Sequence, residues 1–418
     1  MKNAVYWIAL QNILGYGANQ ISDILENFED VRDVFDKSTK RNALKFLNDK
    51  NYRRLKSYDI RKAESVINYC DRKNIEIITI DDDKYPIVLK RINNPPAVLY
   101  VRGEFPDFDN EATIGMVGTR GCSLNSMIAA ATLSYRIAQA GGLVISGGAN
   151  GIDTKCTQGA LFAKAPSVIV RPCGLDYNYL NSLSDIRKQV ENCGAVISEV
   201  QPLGRVERDA FQIRNRIIAA LSLGIVGIEV PEKSGVLITI GYALEFGKDI
   251  FAIPGDISDE NYKGSNKLLH DGAKPVYTAA DVLNEYMYAF PHKLKLDKAG
   301  GAINEDDIYL KLQKKYSRKA VQSKPLEDNK SIIKRVKSKL SNKEEKKIIT
   351  KKRKLSVLPF DADENTKKVY NCFENQPISV DYITEKCGLD AAEVMFSLTE
   401  LEINDVIHSL PGGRFEIK

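Results

Sequence analysis

Three groups of residues have the types and spacing to hold an anion. The first is glycine-rich. Val117-Gly118-Thr119-Arg120, Ile145-Ser146-Gly147-Gly148-Ala149-Asn150-Gly151-Ile152-Asp153 and Pro254-Gly255-Asp256 each close an apolar run. Glycine lets backbone N–H groups approach a phosphate with no Cβ in the way. The second group is basic and aromatic: Arg208, Phe211, Arg214, Asn215 and Arg216 open a helical stretch. Arg forks two hydrogen bonds onto a phosphate, and Phe stacks on an unpaired base. The third is Ser234-Gly235-Val236-Leu237-Ile238-Thr239, where Ser234 has the position of a helix N-cap beside a ligand-facing loop. Each group also has a plainer reading. Tight βα turns want glycine anyway, Arg214 or Arg216 can pair with Glu199 or Glu229 while Phe211 joins the core, and Ser234 can act as a cap alone. The ligand implied is a nucleotide or a nucleic-acid backbone.

Several chemistries are disfavoured. Neither G-x-G-x-x-G nor G-x-x-x-x-G-K-[ST] occurs, so a dinucleotide fingerprint and a P-loop are both unsupported. The seven cysteines are scattered, with no C-x-x-C, and argue against a disulfide framework or zinc site. With only His270, His292 and His408, a histidine-based metal or acid–base centre is not expected. No cofactor or metal is called for.

The elements that must position these groups are legible. Apolar runs Ile114–Val117, Leu143–Ile145, Ser167–Val170, Ala195–Ser198, Ile225–Val230 and Ile250–Ile253 are continuous rather than alternating. That is the signature of strands buried on both faces of a parallel sheet. Helical stretches fall between them, near 124–140, 154–164, 181–192, 212–222 and 236–247. The class is α/β, a doubly wound domain whose ligands sit beyond the carboxyl ends of the strands.

The flanks differ from this body. Val5, Ile8, Ala9, Ile13 and Leu14 repeat at helical spacing, Gly15-Tyr16-Gly17 breaks the helix, and Ile21, Ile24, Leu25 and Phe28 restart one. This is a helix-hairpin-helix pattern. Its turn either offers N–H groups to a phosphate or merely joins two helices tightly; the acidic residues that follow favour the second. Ile75–Ile80 reads as a strand, and Tyr85–Pro96 as an extended approach to Val98–Val101. Near the other end, three short helices and a hairpin (Val406–Leu410, Phe415–Ile417) make a winged helix. The expected divisions are 1–84 (helical), 85–291 (α/β), 292–360 (basic linker) and 361–418 (winged helix).

Charge follows the same divisions. The 418 residues carry a formal net charge of +5. Residues 293–354 hold 21 Lys and Arg against 8 Asp and Glu, residues 361–418 hold 5 against 12, and residues 1–292 come to -1. A ligand site on the near-neutral body must therefore be a local cluster. The linker is too polar to repay its chain entropy and reads as a basic tether. The third winged helix (Asp390–Glu402) has four acidic residues and no Lys or Arg, which disfavours entry into a DNA groove. Mean hydropathy is -0.28, and no run approaches the ~20 apolar residues of a membrane span. With no secretory signal, a cytoplasmic location is expected.

Eight motifs in order resemble those of the DNA-processing protein A (DprA/Smf) family. They are Val-Gly-Thr-Arg, Ser-Gly-Gly-Ala-Asn-Gly-Ile-Asp, Gly174-Leu175-Asp176, Ser198-Glu199, Arg-Asn-Arg-Ile-Ile, Ser-Gly-Val-Leu-Ile-Thr, Ala-Ile-Pro-Gly and Asp271-Gly272-Ala273. The resemblance is dense over residues 85–291. It departs at Cys156-Thr157, Tyr179-Leu180 and Asn125-Ser126, where the family has Ala-His, Tyr-Pro and Tyr-Gly. The resemblance implies an extended Rossmann-like domain with a helical helix-hairpin-helix (SAM-like) domain before it and a winged helix after it. It implies a non-enzymatic, homodimeric protein that binds single-stranded DNA, protects incoming strands in natural transformation and helps load the RecA recombinase. The DNA-binding set expected is Gly118, Thr119, Arg120, Gly147, Gly148, Lys155, Arg208, Phe211, Arg214, Asn215, Arg216, Ser234 and Gly235.

The rival reading is an enzyme. The α/β domain also resembles, distantly, nucleotide phosphoribohydrolases that cleave an N-glycosidic bond, with Asp153, Glu199 or Glu245 as the acid. Against it, that group's Pro-Gly-Gly-x-Gly-Thr is replaced here, and no paired acid–base constellation stands out.

Overall fold

The structure is a computed structural model. It describes residues 3–36, 41–207 and 209–299, and within 362–417 all but 374–377, 390–392, 395–396, 399–400, 402–405 and 411–413. The expected basic tether beyond residue 299, Arg208 and most of the third winged helix lie outside the described residues. The chain divides into two compact units, within residues 1–324 and 325–418.

The first unit is built on one nine-stranded sheet. Its strands are β1 (Glu76–Thr79), β2 (Val98–Gly103), β3 (Thr113–Gly118), β4 (Leu143–Ser146), β5 (Ser167–Val170), β6 (Ala195–Ser198), β7 (Gly224–Ile228), β8 (Asp249–Ala252) and β9 (Lys274–Pro275). The order across the sheet is β1-β2-β6-β5-β4-β3-β7-β8-β9. From β6 to β9 every pairing is parallel; β1 and β2 extend the sheet antiparallel. All residues of β4, β5, β6 and β7 are buried, which is why their sequences are unbroken apolar runs. The chain runs outward from β3 through β4, β5 and β6, then returns to β7 on the other side of β3. The switch point, where doubly wound sheets bind ligands, is thus between β3 and β7.

Helices precede and cover the sheet. They are α1 (Ala4–Leu14), α2 (Gln20–Asn27), α3 (Arg32–Phe35), α4 (Asp49–Lys56), α5 (Arg61–Arg72), α6 (Ile87–Lys90), α7 (Leu124–Gln139), α8 (Ile152–Phe162), α9 (Ser184–Glu191), α10 (Ala210–Leu221), α11 (Val236–Glu245), α12 (Lys263–His270) and α13 (Ala279–Leu283). The stretch expected to be extended between Tyr85 and Pro96 contains the short α6.

Two expected divisions cross packed structure. The line between residues 84 and 85 separates β1 from β2, whose residues pair from Glu76↔Val101 to Thr79↔Val98. Beyond 291, Leu294 and Ala299 are buried in the α/β core, and the Lys295 N–H donates to the Ala140 carbonyl at 2.9 Å. A Cβ on Gly141 would lie 2.2 Å from the Lys293 carbonyl oxygen, so only glycine lets this segment close on the body.

The second unit has α14 (Glu364–Tyr370), β10 (Ile378–Ser379), α15 (Val380–Cys387), β11 (Ile407–Leu410) and β12 (Arg414–Ile417). Its sheet order is β10-β12-β11, all antiparallel. Val369, Ile383, Val394, Leu398, Leu401, Ile407 and Phe415 form its core. This is the three-stranded wing and helical core of a winged helix. No helix among the described residues is long and apolar enough to cross a membrane.

Candidate nucleic-acid interface

A cleft of about 360 Å³ opens at the switch point. The end of β3 lines it through Gly118, Thr119 and Arg120, and the start of α11 through Ser234, Gly235 and Val236. Phe211, Arg214, Asn215 and Ile218 add one face of α10, at the i, i+3, i+4, i+7 spacing of a helical stripe.

Glycines set the close approaches. A Cβ on Gly118 would lie 2.2 Å from the Ile228 carbonyl oxygen, so β3 and β7 meet at the crevice only without one. Gly151, at φ +81°, starts α8 with its missing Cβ 2.5 Å from the Thr119 carbonyl oxygen. The Ile152 N–H donates to that same oxygen at 3.2 Å. Gly235 has open space where a side chain would be. The Ser234 hydroxyl accepts the Val236 N–H at 3.2 Å, so Ser234 both closes the first turn of α11 and lines the cleft.

Glu229 fixes the Arg120 loop from below. It is fully buried, holds φ at +49°, and its carboxylate accepts the Ser123 N–H at 2.8 and 3.1 Å and the Ser123 hydroxyl at 3.1 Å. That carboxylate occupies the positive end of α7. The positive end of α11 faces the cleft instead.

The exposed rim is an aromatic–cation stack. The Arg120 guanidinium carbon is 4.9 Å from the centroid of the Phe211 ring, and Tyr179 meets Phe211 edge-on at 6.1 Å. Arg120 is exposed, and Phe211 and Tyr179 are half-buried. A flat cation, a ring and a second ring at the mouth of a glycine-lined cleft suit a phosphate followed by an unpaired base.

Arg214 forms the inner wall. It is buried, and its Nη1 donates to the Val170 carbonyl at 2.8 Å while its Nε has no hydrogen-bond partner among the described residues. Its side chain crosses Gly147, where a Cβ would lie 2.0 Å from Nη1 and 2.6 Å from Asp153 Oδ2. Burial pushes the Asp153 carboxyl up from its ordinary range, and the Arg214 charge opposes that rise. Burial pulls the Arg214 guanidinium down, and Asp153 opposes that fall.

Four of the expected contacts do not line the cleft. Arg216 has no exposed surface, and its Nη2 donates to both carboxylate oxygens of Glu199 at 2.8 and 2.7 Å, so it does not line the cleft. Lys155 is likewise buried, with its Nζ 3.3 Å from Gln158 Oε1. Gly147, beneath the Arg214 side chain, and Gly148, at φ +63° and packed on Ile169, shape the β4 loop without lining the cleft. The Gly15–Gly17 turn is also committed inside the molecule, since the Gly17 N–H donates to Glu199 Oε1 at 3.0 Å.

Asp153, Tyr179, Gln212 and Lys233 complete the site and were not among the expected ligands. Lys233 had a signal, as a cation directly before Ser234-Gly235. Tyr179 is remote in sequence, and its one signal was as the retained Tyr of the family's Tyr-Pro. The three acids of the enzyme reading do not converge. Glu199 is held by Arg216, and Glu245 accepts from Asn93 in a separate cleft beside Lys248. Only Asp153 reaches the switch point.

The sequence model of the family described as DNA recombination-mediator protein A matches residues 76–287. The chain belongs to that family. The model of a DprA winged helix domain matches residues 356–413. The DNA processing protein DprA of Bacillus subtilis is 33% identical over 224 residues, 54% of this chain and 75% of that protein. Protein Smf of Synechocystis is 28% identical over 351 residues, 82% of this chain and 81% of that one. The X-ray structure of DprA from Streptococcus pneumoniae superposes with a TM-score of 0.58 at 31% identity, covering 68% of this chain and 99% of that one. For this member of the DprA family the role is therefore DNA binding and DNA processing, on the Rossmann-like and winged-helix architecture expected.

Proposed function

We propose that this protein binds single-stranded DNA at the switch-point cleft, shields incoming strands and promotes RecA loading during natural transformation. It acts in the cytoplasm as a homodimer. The observation that supports this best is the Arg120–Phe211–Tyr179 stack at the cleft mouth. Arg120 contacts phosphate, Phe211 stacks on a base, and Asn215, Ser234 and Gly235 line the floor beneath. Arg208, three residues before Phe211, adds a cation by its place in the sequence. Stacking on a ring needs a base free of its partner, which favours single strands over duplex.

A mobility shift with single- and double-stranded oligonucleotides of one sequence tests this. Tight binding of the single strand and weak binding of the duplex is expected; equal binding contradicts the reading. Light scattering on the same sample gives the oligomeric state. Recombinase loading is checked by whether the protein speeds RecA filament growth on strands coated with single-strand-binding protein.

A further inference from the structure

The two faces of α10 do different work. Phe211, Arg214, Asn215 and Ile218 face the cleft. Arg216 lies about 200° round the helix from Arg214, given about 100° per residue. There its Nη2 meets both oxygens of Glu199, the residue just past the end of β6. Glu199 Oε1 also takes the Gly17 N–H from the turn between α1 and α2. A Cβ on Gly17 would lie 3.2 Å from Ile213 Cγ2 and 3.5 Å from Arg216 Nε, so the turn sits directly on α10.

This cluster is buried. Arg216 is 0% and Glu199 4% exposed. Among the described residues, Arg216 Nε and Nη1 have no hydrogen-bond partner, so Glu199 is its anchor. A buried ion pair adds little stability over an apolar pair of the same volume, but it permits one geometry only. Here that geometry sets the rotation of the helix that presents Phe211 and Asn215.

We infer that Glu199 and Arg216 are positioning residues for the strand-binding face of α10, locked by the Gly15–Gly17 turn of the amino-terminal helices. The inference rests on the cleft reading above. It gives the helix-hairpin-helix turn an indirect part in DNA binding: its N–H holds the carboxylate that orients α10.

The test uses the full chain and a labelled oligo-dT. Glu199→Gln keeps the side-chain shape and an acceptor for the Gly17 N–H but removes the charge facing Arg216. Expected is a loss of affinity of about tenfold with an unchanged salt slope, because no phosphate contact is removed. In a Phe211→Ala background the same change should cost less than about twofold, because the group being positioned is already gone. Equal losses with and without Phe211 would mean general destabilisation and overturn the inference. If Glu199→Gln does not fold, Gly17→Ala, strained at φ +70° and with its Cβ 3.2 Å from Ile213 Cγ2, disturbs the turn and should give the same non-additivity. Wild-type protein that fails to bind the strand rejects the cleft reading itself. Wild-type binding matched by Glu199→Gln, or by Gly17→Ala where Glu199→Gln does not fold, rejects the positioning role alone.

Discussion

The guanidinium carbon of Arg120 lies 4.9 Å from the centre of the Phe211 ring, although the two residues come from different βα units. Arg120 follows β3 and Phe211 opens α10, and the switch point between β3 and β7 brings them together. In the proposed strand contact, the pair supplies charge for the phosphate and a ring for the base.

Arg120→Ala should weaken oligo-dT binding and flatten its log–log salt dependence by about 0.7, the change for one phosphate contact on a single strand. Phe211→Ala should weaken binding by about 1–3 kcal/mol and leave the salt slope as it was, since stacking releases no counterion. Fluorescence anisotropy titrations at several salt concentrations separate the two.

Gly118→Ala should destabilise the α/β body by about 1–3 kcal/mol, as overpacking does. The new methyl meets the Ile228 carbonyl oxygen, part of the neighbouring strand's backbone, which cannot swing away. Urea denaturation followed by circular dichroism measures this. Gly235→Ala has open space to enter and should leave the midpoint unchanged.

Arg216→Ala should cost about 3–5 kcal/mol of stability by leaving the Glu199 carboxylate buried without its cation. Replacing both residues together, Glu199→Leu with Arg216→Met, should restore most of it. Denaturation midpoints of the single and double variants decide the matter.

Burial pushes the Cys70 thiol up to about 12. At pH 8 only about one part in ten thousand is thiolate, so iodoacetamide should leave Cys70 unmodified in the folded protein. The exposed Cys193 should label first. The sign for stability follows: a raised thiol pKa costs the folded state nothing below the ordinary thiol range. It weakens folding as pH climbs from there towards 12. Peptide mapping after labelling gives the order of reaction.

Much of the fold was legible because physics left one signal per element. Ser167–Val170 and Ala195–Ser198 are buried on both faces, so the apolar run and the strand coincide residue for residue. The site was half legible. Gly118, Arg120 and Phe211 sit where strand ends and a helix start place them. Arg216 was open between strand ligand and partner of Glu199, because residue type does not state which way a side chain on α10 points; the structure takes the second. Only the position of Glu199, distant in sequence, settles that. Lys155 misled for the same reason: its place after Asp153 says nothing of its burial against α8's own Gln158. Tyr179 stood out only within a departure from the family pattern, because its role exists only once the loop after β5 is folded beside α10.

If Arg120 and Phe211 form the strand contact, the full-length Arg120→Ala, Phe211→Ala double variant should lose at least about a hundredfold in affinity for oligo-dT with an unshifted thermal melt, since one residue is exposed and the other only half-buried. Wild-type affinity in a folded double variant would place the DNA elsewhere on the molecule.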